Sequence, residues 1–200
     1  AYDRPGVRIE RLGEALEIIR SMWENERTTF RGKHYRIENI AQAAPLPAGS
    51  RPKILIGGGG PRVLRLAGRH ADIVGINPRL EEGKVTQHTA ADLAPERLDE
   101  KVRHVREGAE RAGRSFDEIE LNSLTFIVAI TDDPKGVRAG LAANTGMSVE
   151  QVADCPIFLT GSPAEIRDRL EKRRERIGIS YIVIHGADQG VVEKFAEKIV

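Results

Sequence analysis

Cysteine is almost absent from this sequence of 200 residues, in which Cys155 is the only example. A lone cysteine cannot form a disulfide within the chain, and such scarcity is typical of a reducing compartment. We therefore expect a cytoplasmic protein. Pro156 follows the cysteine and no histidine is near it in the sequence, which favours a buried structural thiol over a nucleophile.

An excess of one charge is also missing, and so are long apolar runs. The 31 basic and 30 acidic residues are interspersed, so nothing favours a nucleic acid or a membrane surface as a partner. The apolar runs have the length of β-strands, which excludes a transmembrane helix. The chain does not open on a charged segment followed by an apolar run, so no secretory signal is expected. The histidines lack the spacing of metal ligands, and no metal site is expected.

Four short apolar runs are solid rather than alternating, and they lie at 54–56, 73–74, 126–130 and 181–184. Strands that are buried on both faces have this pattern, which implies a parallel sheet covered by helices. Segments with helical periodicity separate the runs and provide the crossovers that parallel strands need. The sequence therefore predicts an α/β fold. Its third strand is predicted over 120–130.

Outside these strands the sequence predicts a helix at 7–25, a hairpin at 28–40 and a proline-rich connector at 41–52. An irregular segment follows at 77–95. A capping box that starts at Ser162 predicts a helix that ends at Gly178. The 200 residues can form one domain or two small ones, and one domain over 1–200 is expected.

The stretch from Gly57 to Gly60 follows an apolar strand, and Pro61 then opens a helix. Backbone N–H groups and the positive end of the dipole meet at a helix start, and glycine lets a phosphate approach that backbone closely. A tight strand-to-helix turn is the alternative interpretation. We favour a phosphate site, because consecutive glycines weaken a fold unless something must approach them.

Two nucleotide-binding motifs do not match this stretch. A dinucleotide fingerprint needs a third glycine where Arg62 or Val63 stands, and Asp72 comes too early to bind a ribose. No Gly-Lys-Ser/Thr follows the loop, so the Walker pattern fails as well. The remaining candidate is a phosphate site of the kind found late in a (βα)8 barrel.

Several motifs resemble the luciferase-like monooxygenase superfamily, in its class of oxidoreductases that use the deazaflavin coenzyme F-420 (F420). They follow one another along nearly the whole chain, at 4–12, 30–35, 52–60, 65–67, 71–75 and 161–166. The resemblance implies a TIM-like barrel with a hairpin insertion, at 28–40, and an irregular loop insertion, at 77–95. It also implies hydride transfer between F420, or flavin mononucleotide (FMN) in other branches, and a small organic substrate.

The resemblance assigns the cofactor to two neighbouring segments, and the residues concerned are Gly57, Gly58, Gly59, Gly60, Val74 and Gly75. The glycines would hold the cofactor phosphate through backbone N–H groups. Val74 and Gly75 would lie near the tail or the ring edge. Asn77 and His185 follow apolar strands and are expected to support the site rather than to catalyse. No catalytic residue is identified.

Only part of the barrel is predicted. A (βα)8 barrel needs roughly 250 residues, whereas four barrel strands are predicted here and the chain opens on a helix. We therefore expect the C-terminal half of a barrel. Three explanations stay open: the chain is truncated, it associates with a separate N-terminal half, or it is a half-barrel that dimerises. The functions left open are an F420-dependent oxidoreductase, an FMN-dependent monooxygenase, and a non-catalytic half-barrel subunit or ligand-binding module.

One helix carries many cations, namely Arg167, Arg169, Lys172, Arg173, Arg174 and Arg176. Acidic residues alternate with them along the same segment. This pattern favours a solvated helix face over a binding patch for an acidic cofactor tail.

Overall fold

The structure is a computed structural model that describes residues 3–41, 46–47, 49–80, 86 and 89–200. The chain divides into two compact units, residues 1–54 and residues 55–200. The single domain over 1–200 stays a prediction. In the described part of the chain, no helix combines the length and apolar character needed to cross a membrane.

The first unit is a helix with a hairpin. Helix α1 (Pro5–Glu24) precedes strands β1 (Arg27–Arg31) and β2 (Arg36–Ala41), which pair antiparallel. The Glu14 carboxylate of α1 accepts the backbone N–H groups of Lys33, His34 and Tyr35 at 2.8–3.2 Å. One carboxylate therefore ties the turn of the hairpin to the helix.

The second unit alternates strands and helices. Its strands are β3 (Leu55–Gly58), β4 (Ile73–Ile76), β5 (Glu120–Thr125), β6 (Ile127–Ile130), β7 (Phe158–Gly161) and β8 (Ile179–Ile184). Its helices are α2 (Pro61–His70), α3 (Pro95–Arg111), α4 (Pro134–Thr145), α5 (Val149–Asp154), α6 (Pro163–Ile177) and α7 (Gln189–Lys198). Strands β3, β4, β5 and β8 form one parallel sheet in that order. The predicted α/β fold is confirmed, and a four-stranded parallel sheet is the architecture of part of a (βα)8 barrel.

The prediction of one strand over 120–130 is wrong. Strand β5 pairs with β8, whereas β6 leaves that sheet and pairs in parallel with β7. The change of partner occurs at Phe126, because the N–H groups of Phe126 and Ile127 both donate to the carbonyl of Ile157. Strand β7 was not predicted. The apolar run at 157–159 overlaps the start of this strand and is as long as the run at 54–56, so a signal was present and was overlooked.

The capping signals around α6 behave as predicted. The Ser162 hydroxyl accepts the N–H of Glu165, and the Glu165 carboxylate accepts the N–H of Ser162. The helix ends at Gly178, whose φ of 81° suits a residue without a side chain. Cys155, just after α5, is fully buried, and burial raises the pKa of its thiol to about 11. A buried structural thiol is therefore what the fold contains.

Helices α2 and α3 approach each other closely on one side of the sheet. A methyl group in place of Gly68 would overlap the Val105 carbonyl, and one in place of Gly108 would overlap the Arg65 carbonyl. Two reciprocal glycines thus let the helix backbones touch. This contact brings the amino-terminal half of α3 beside the loop that follows β3.

Candidate functional site

The glycine loop, Gly57–Gly60, connects β3 to α2. Gly57 and Gly58 are the last residues of β3, Gly60 is the N-cap of α2, and Pro61 is the first helical residue. The predicted order of strand, glycine loop and helix start is confirmed. Since Gly60 has no side chain, α2 has no side-chain cap at the end where its dipole is positive.

The four glycines differ in what a side chain at each position would meet. A side chain at Gly58 would lie 2.5 Å from Val63 Cγ1, and one at Gly59 would overlap the backbone of Pro78 and Arg79. A side chain at Gly60 would meet nothing within 4 Å. Packing within the protein therefore explains the glycines at 58 and 59, which is what the tight-turn interpretation states. Of these four positions, only Gly60 has open space for a side chain.

A buried lysine donates a hydrogen bond to the backbone of this loop. Lys101 of α3 is 5% exposed, and its Nζ donates to the Gly59 carbonyl at 2.7 Å and to Asp92 Oδ2 at 2.6 Å. The same Asp92 oxygen accepts the backbone N–H of Arg79 at 2.6 Å. One ion pair thus connects the glycine loop, the segment after β4 and helix α3.

The bond from Lys101 also sets the direction of the next peptide group. In a trans peptide the C=O and N–H groups point to opposite sides. Because Nζ holds the Gly59 carbonyl, the N–H of Gly60 is directed away from Lys101. Lys101 was not singled out in the sequence, although a signal exists. It stands between Leu98 and Val105 on the buried stripe of α3, where a lysine needs a partner.

A pair of glycines adjoins the loop on the sheet face that carries Leu55 and Tyr181, where Gly57 is exposed and Gly75 is buried. Gly57 of β3 pairs with Gly75 of β4, which in turn pairs with Asn122 of β5. A side chain at Gly75 would lie 3.3 Å from Gly57 Cα and 3.4 Å from Asn122 Oδ1. A side chain at Gly57 would lie 2.8 Å from the amide nitrogen of Asn77. Two asparagine amides therefore border a glycine surface.

The structure brings the other sequence candidates to different places. Val74 is fully buried on the opposite, helix-covered face from Gly75, and its assignment to the cofactor stays a prediction. Asn77 and His185 follow β4 and β8, so both stand at the carboxyl edge of the sheet. There the His185 ring contacts the edge of Phe126, with ring centroids 5.4 Å apart. Phe126 was not singled out in the sequence.

Metal ligands are not gathered at this edge. Within the part of the chain that the structure describes, no group of three or more His, Cys, Asp or Glu side chains could hold a metal ion. His88 lies outside the described residues. The chemistry that the described site offers is therefore that of backbone donors, amides and a bare glycine surface.

Comparison with known proteins identifies the family. Residues 3–151 match the model of the family described as luciferase-like monooxygenase. The chain belongs to this family. It is 36% identical over 120 residues to an F420-dependent glucose-6-phosphate dehydrogenase from Nakamurella multipartita, covering 60% of this chain and 31% of that protein. It is 34% identical over 189 residues to an enzyme of the same name from Mycobacterium leprae, covering 92% of this chain and 50% of that protein.

Solved structures of luciferase-like barrels share the fold. An F420-dependent tetrahydromethanopterin reductase from Methanopyrus kandleri matches with a TM-score of 0.67 at 20% identity, over 96% of this chain and 62% of that one. An F420-dependent secondary alcohol dehydrogenase, solved with an F420–acetone adduct, matches with a TM-score of 0.70 at 16% identity, over 100% and 63% of the two chains. A riboflavin lyase with modified FMN matches with a TM-score of 0.69 at 14% identity, over 100% and 57%.

These matches show the luciferase-like TIM-barrel fold, which agrees with the resemblance found in the sequence. The chain spans between about a third and a half of the length of the two curated relatives described.

Proposed function

We propose that this chain supplies the cofactor-phosphate site of an F420-dependent oxidoreductase, which transfers a hydride between F420 and a small organic substrate. The observation that carries the proposal is the open space at Gly60, at the uncapped positive end of α2. Membership of the luciferase-like family supports it, and so do the relatives named for F420. F420, when bound, would supply the hydride chemistry.

The residues of this chain would bind and orient. The Gly60 N–H, directed outward by Lys101, would donate to a phosphate oxygen at the start of α2. The paired Gly57 and Gly75 would let a flat or extended part of the cofactor lie against the sheet without a side chain between them. The amides of Asn77 and Asn122 border that surface and would offer hydrogen bonds at its margin.

FMN is the alternative cofactor, and it too carries a phosphate. The riboflavin lyase with modified FMN has the same fold, so the fold alone accepts either cofactor. The geometry at Gly60 suits the phosphate of both. Titration of the purified protein with F420 and with FMN, followed by absorbance and fluorescence under anaerobic conditions, compares the two directly.

We also infer that further strands complete the binding surface. Leu55 and Tyr181 lie on the same sheet face as Gly57 and Gly75, and they are 51% and 39% exposed. Large apolar side chains on an uncovered sheet face are typical of a surface that packs against other structure. A homodimer, or association with an N-terminal half-barrel, would cover them. In either case the substrate and the reacting groups would be shared with that partner.

The matched pair Gly60→Asp and Gly60→Ala tests the phosphate site. A Cβ at Gly60 meets nothing within 4 Å, and aspartate is a good N-cap, so Gly60→Asp keeps α2 or stabilises it by about 0.3 kcal/mol. Its negative charge would occupy the place of the phosphate. We expect Gly60→Asp to weaken F420 binding at least about a hundredfold, equivalent to about 2.7 kcal/mol, and Gly60→Ala to weaken it far less.

Fluorescence titration measures binding, and circular dichroism checks that both variants fold. Equal affinity of Gly60→Asp and the native protein would show that the phosphate binds elsewhere. If the folded native protein binds neither F420 nor FMN while its partner is present, the chain is a non-catalytic half-barrel subunit instead.

A further inference from the structure

A basic pocket lies between α3, α5 and α6, and it shares no residue with the glycine loop or with the ion pair beneath it. Its volume is about 180 Å³. The residues that line it are Pro95, Asp154, Arg169, Lys172, Arg173 and Arg176. Four cationic side chains thus face a single carboxylate, an imbalance that attracts an anion.

Arg173 is the unusual member of this group. It is 6% exposed, so the expectation of a solvated cation is wrong at this position. Its Nη2 donates to the Asp154 carbonyl at 3.1 Å, while Nη1 is buried and finds no acceptor among the described residues. Among the described residues no carboxylate lies within ion-pair distance of Arg173. Buried cations are normally paired, and buried N–H donors normally have acceptors.

The other cations of the pocket already have carboxylate partners. Arg169 pairs with Asp154 at 2.6 Å, Lys172 with Asp168 at 2.8 Å, and Arg176 with Asp99 at 3.7 Å. The Asp154 carboxylate is therefore engaged by Arg169. Burial lowers the pKa of Arg173 to about 10, so the guanidinium still carries its charge at neutral pH. Among the described residues, Arg173 is therefore the lining cation that lacks a carboxylate partner.

We propose that this pocket binds a phosphate group, free or as the terminal group of a small metabolite, with Arg173 as its principal ligand. Arg173 Nη1 lacks an acceptor among the described residues, and a charged guanidinium N–H group is a suitable donor to a phosphate oxygen. Lys172 and Arg176 add positive charge at the pocket. Its size is below the range of sites for drug-sized ligands, which favours a compact anion. The proposal does not depend on the cofactor site.

The test uses inorganic phosphate and, in a second arm, glycerol 3-phosphate, with binding measured by calorimetry on the full chain. Arg173→Met removes the principal ligand, and Arg174→Met is its control, since Arg174 is exposed and does not line the pocket. Lys172→Met, at an exposed side chain, is a second variant that preserves folding. We expect Arg173→Met to weaken phosphate binding at least about tenfold, Lys172→Met severalfold, and Arg174→Met hardly at all.

Gly60→Asp separates this pocket from the glycine loop, because its charge would repel phosphate only at the loop. Binding that survives Gly60→Asp and is lost in Arg173→Met supports the pocket. Binding that survives Arg173→Met but is lost in Gly60→Asp overturns it, as does equal weakening by Arg173→Met and Arg174→Met. No binding of either phosphate compound also overturns it. Tighter binding of glycerol 3-phosphate than of inorganic phosphate assigns the group to a metabolite, and the reverse assigns it to the free ion.

Discussion

Lys101 and Arg173 are two buried cations on helices α3 and α6, and their surroundings differ. Lys101 is held by a carboxylate, Asp92, and by the Gly59 carbonyl. Arg173 donates to one carbonyl and keeps a buried nitrogen without an acceptor in the described part of the chain. A cation with complete partners stabilises the chain around it, whereas one with incomplete partners retains the capacity to bind an anion. The difference separates a structural ion pair from a candidate ligand site.

The largest effect is expected from Lys101→Met. The substitution leaves the Asp92 carboxylate without its cation and the Gly59 carbonyl without its donor, so the free energy of unfolding should fall by about 3 kcal/mol. Cofactor binding should weaken as well, because the Gly60 N–H is no longer directed outward. Urea denaturation and F420 titration measure the two effects. Lys172→Met, at an exposed lysine, is the control, and an equal loss in both variants would contradict the role of Lys101.

Gly59→Ala should have the next largest effect, since it disturbs the loop that Lys101 holds without touching the lysine. The added methyl group would overlap the backbone of Pro78 and Arg79, and overpacking of this kind costs about 2 kcal/mol. Gly60→Ala is the matched control, because its methyl group enters open space. Thermal unfolding of the two variants compares them. Equal melting temperatures would mean that the segment after β4 moves aside easily.

Arg173→Met should change stability much less than Lys101→Met. It loses the hydrogen bond to the Asp154 carbonyl but also removes a buried charge that has no carboxylate partner, so the net change should lie within about 1 kcal/mol. Chemical denaturation in the absence of phosphate makes this comparison. A loss as large as that of Lys101→Met would mean that Arg173, too, is primarily structural.

Acid should destabilise the hairpin of the first unit. Its ion pair between Lys33 and Glu10 is exposed, in contrast to the buried pair at Lys101. Hydrogen bonds from Lys33 and His34 lower the pKa of Glu10 to about 2 from its ordinary 4.5. Burial raises the pKa of Glu14, but the N–H groups of residues 33–35 outweigh it and lower that pKa overall.

Since these carboxylates bind protons less readily when folded, their stabilising effect is complete above about pH 4.5 and declines as the pH falls towards 2. Amide hydrogen exchange of residues 27–41, measured across this range, should show faster exchange at the hairpin than in β4 once the intrinsic pH dependence is removed. Unchanged relative protection would argue against this coupling. Glu14→Gln should change the pH dependence of this hairpin protection, because the glutamine amide cannot repeat the charge-assisted hydrogen bonds of the carboxylate.

Part of the fold and of the candidate site was predictable from the sequence because it depends on interactions between neighbouring residues. The glycines after an apolar strand, Pro61 at a helix start and the Ser162 capping box each act through neighbours in the sequence. The pairing of β6 with β7 and the break at Phe126 were not predictable, because the partner of a strand depends on which backbone lies beside it in the fold. The site residues themselves, Gly57–Gly60, Val74 and Gly75, remain predictions, of which the variants above test the cofactor contact at Gly60.

By itself, the sequence determined the α/β class, the order of strand, glycine loop and helix, and the resemblance to luciferase-like proteins, because these depend on periodicity and motif. Only the tertiary structure decided which glycine is open. The overlap at Gly59 comes from Pro78 and Arg79, and the partners of Lys101 and Arg173 come from segments distant in the chain. Burial and hydrogen bonding between distant residues are properties of the folded chain, so a lysine and an arginine that look alike in the sequence acquire different roles.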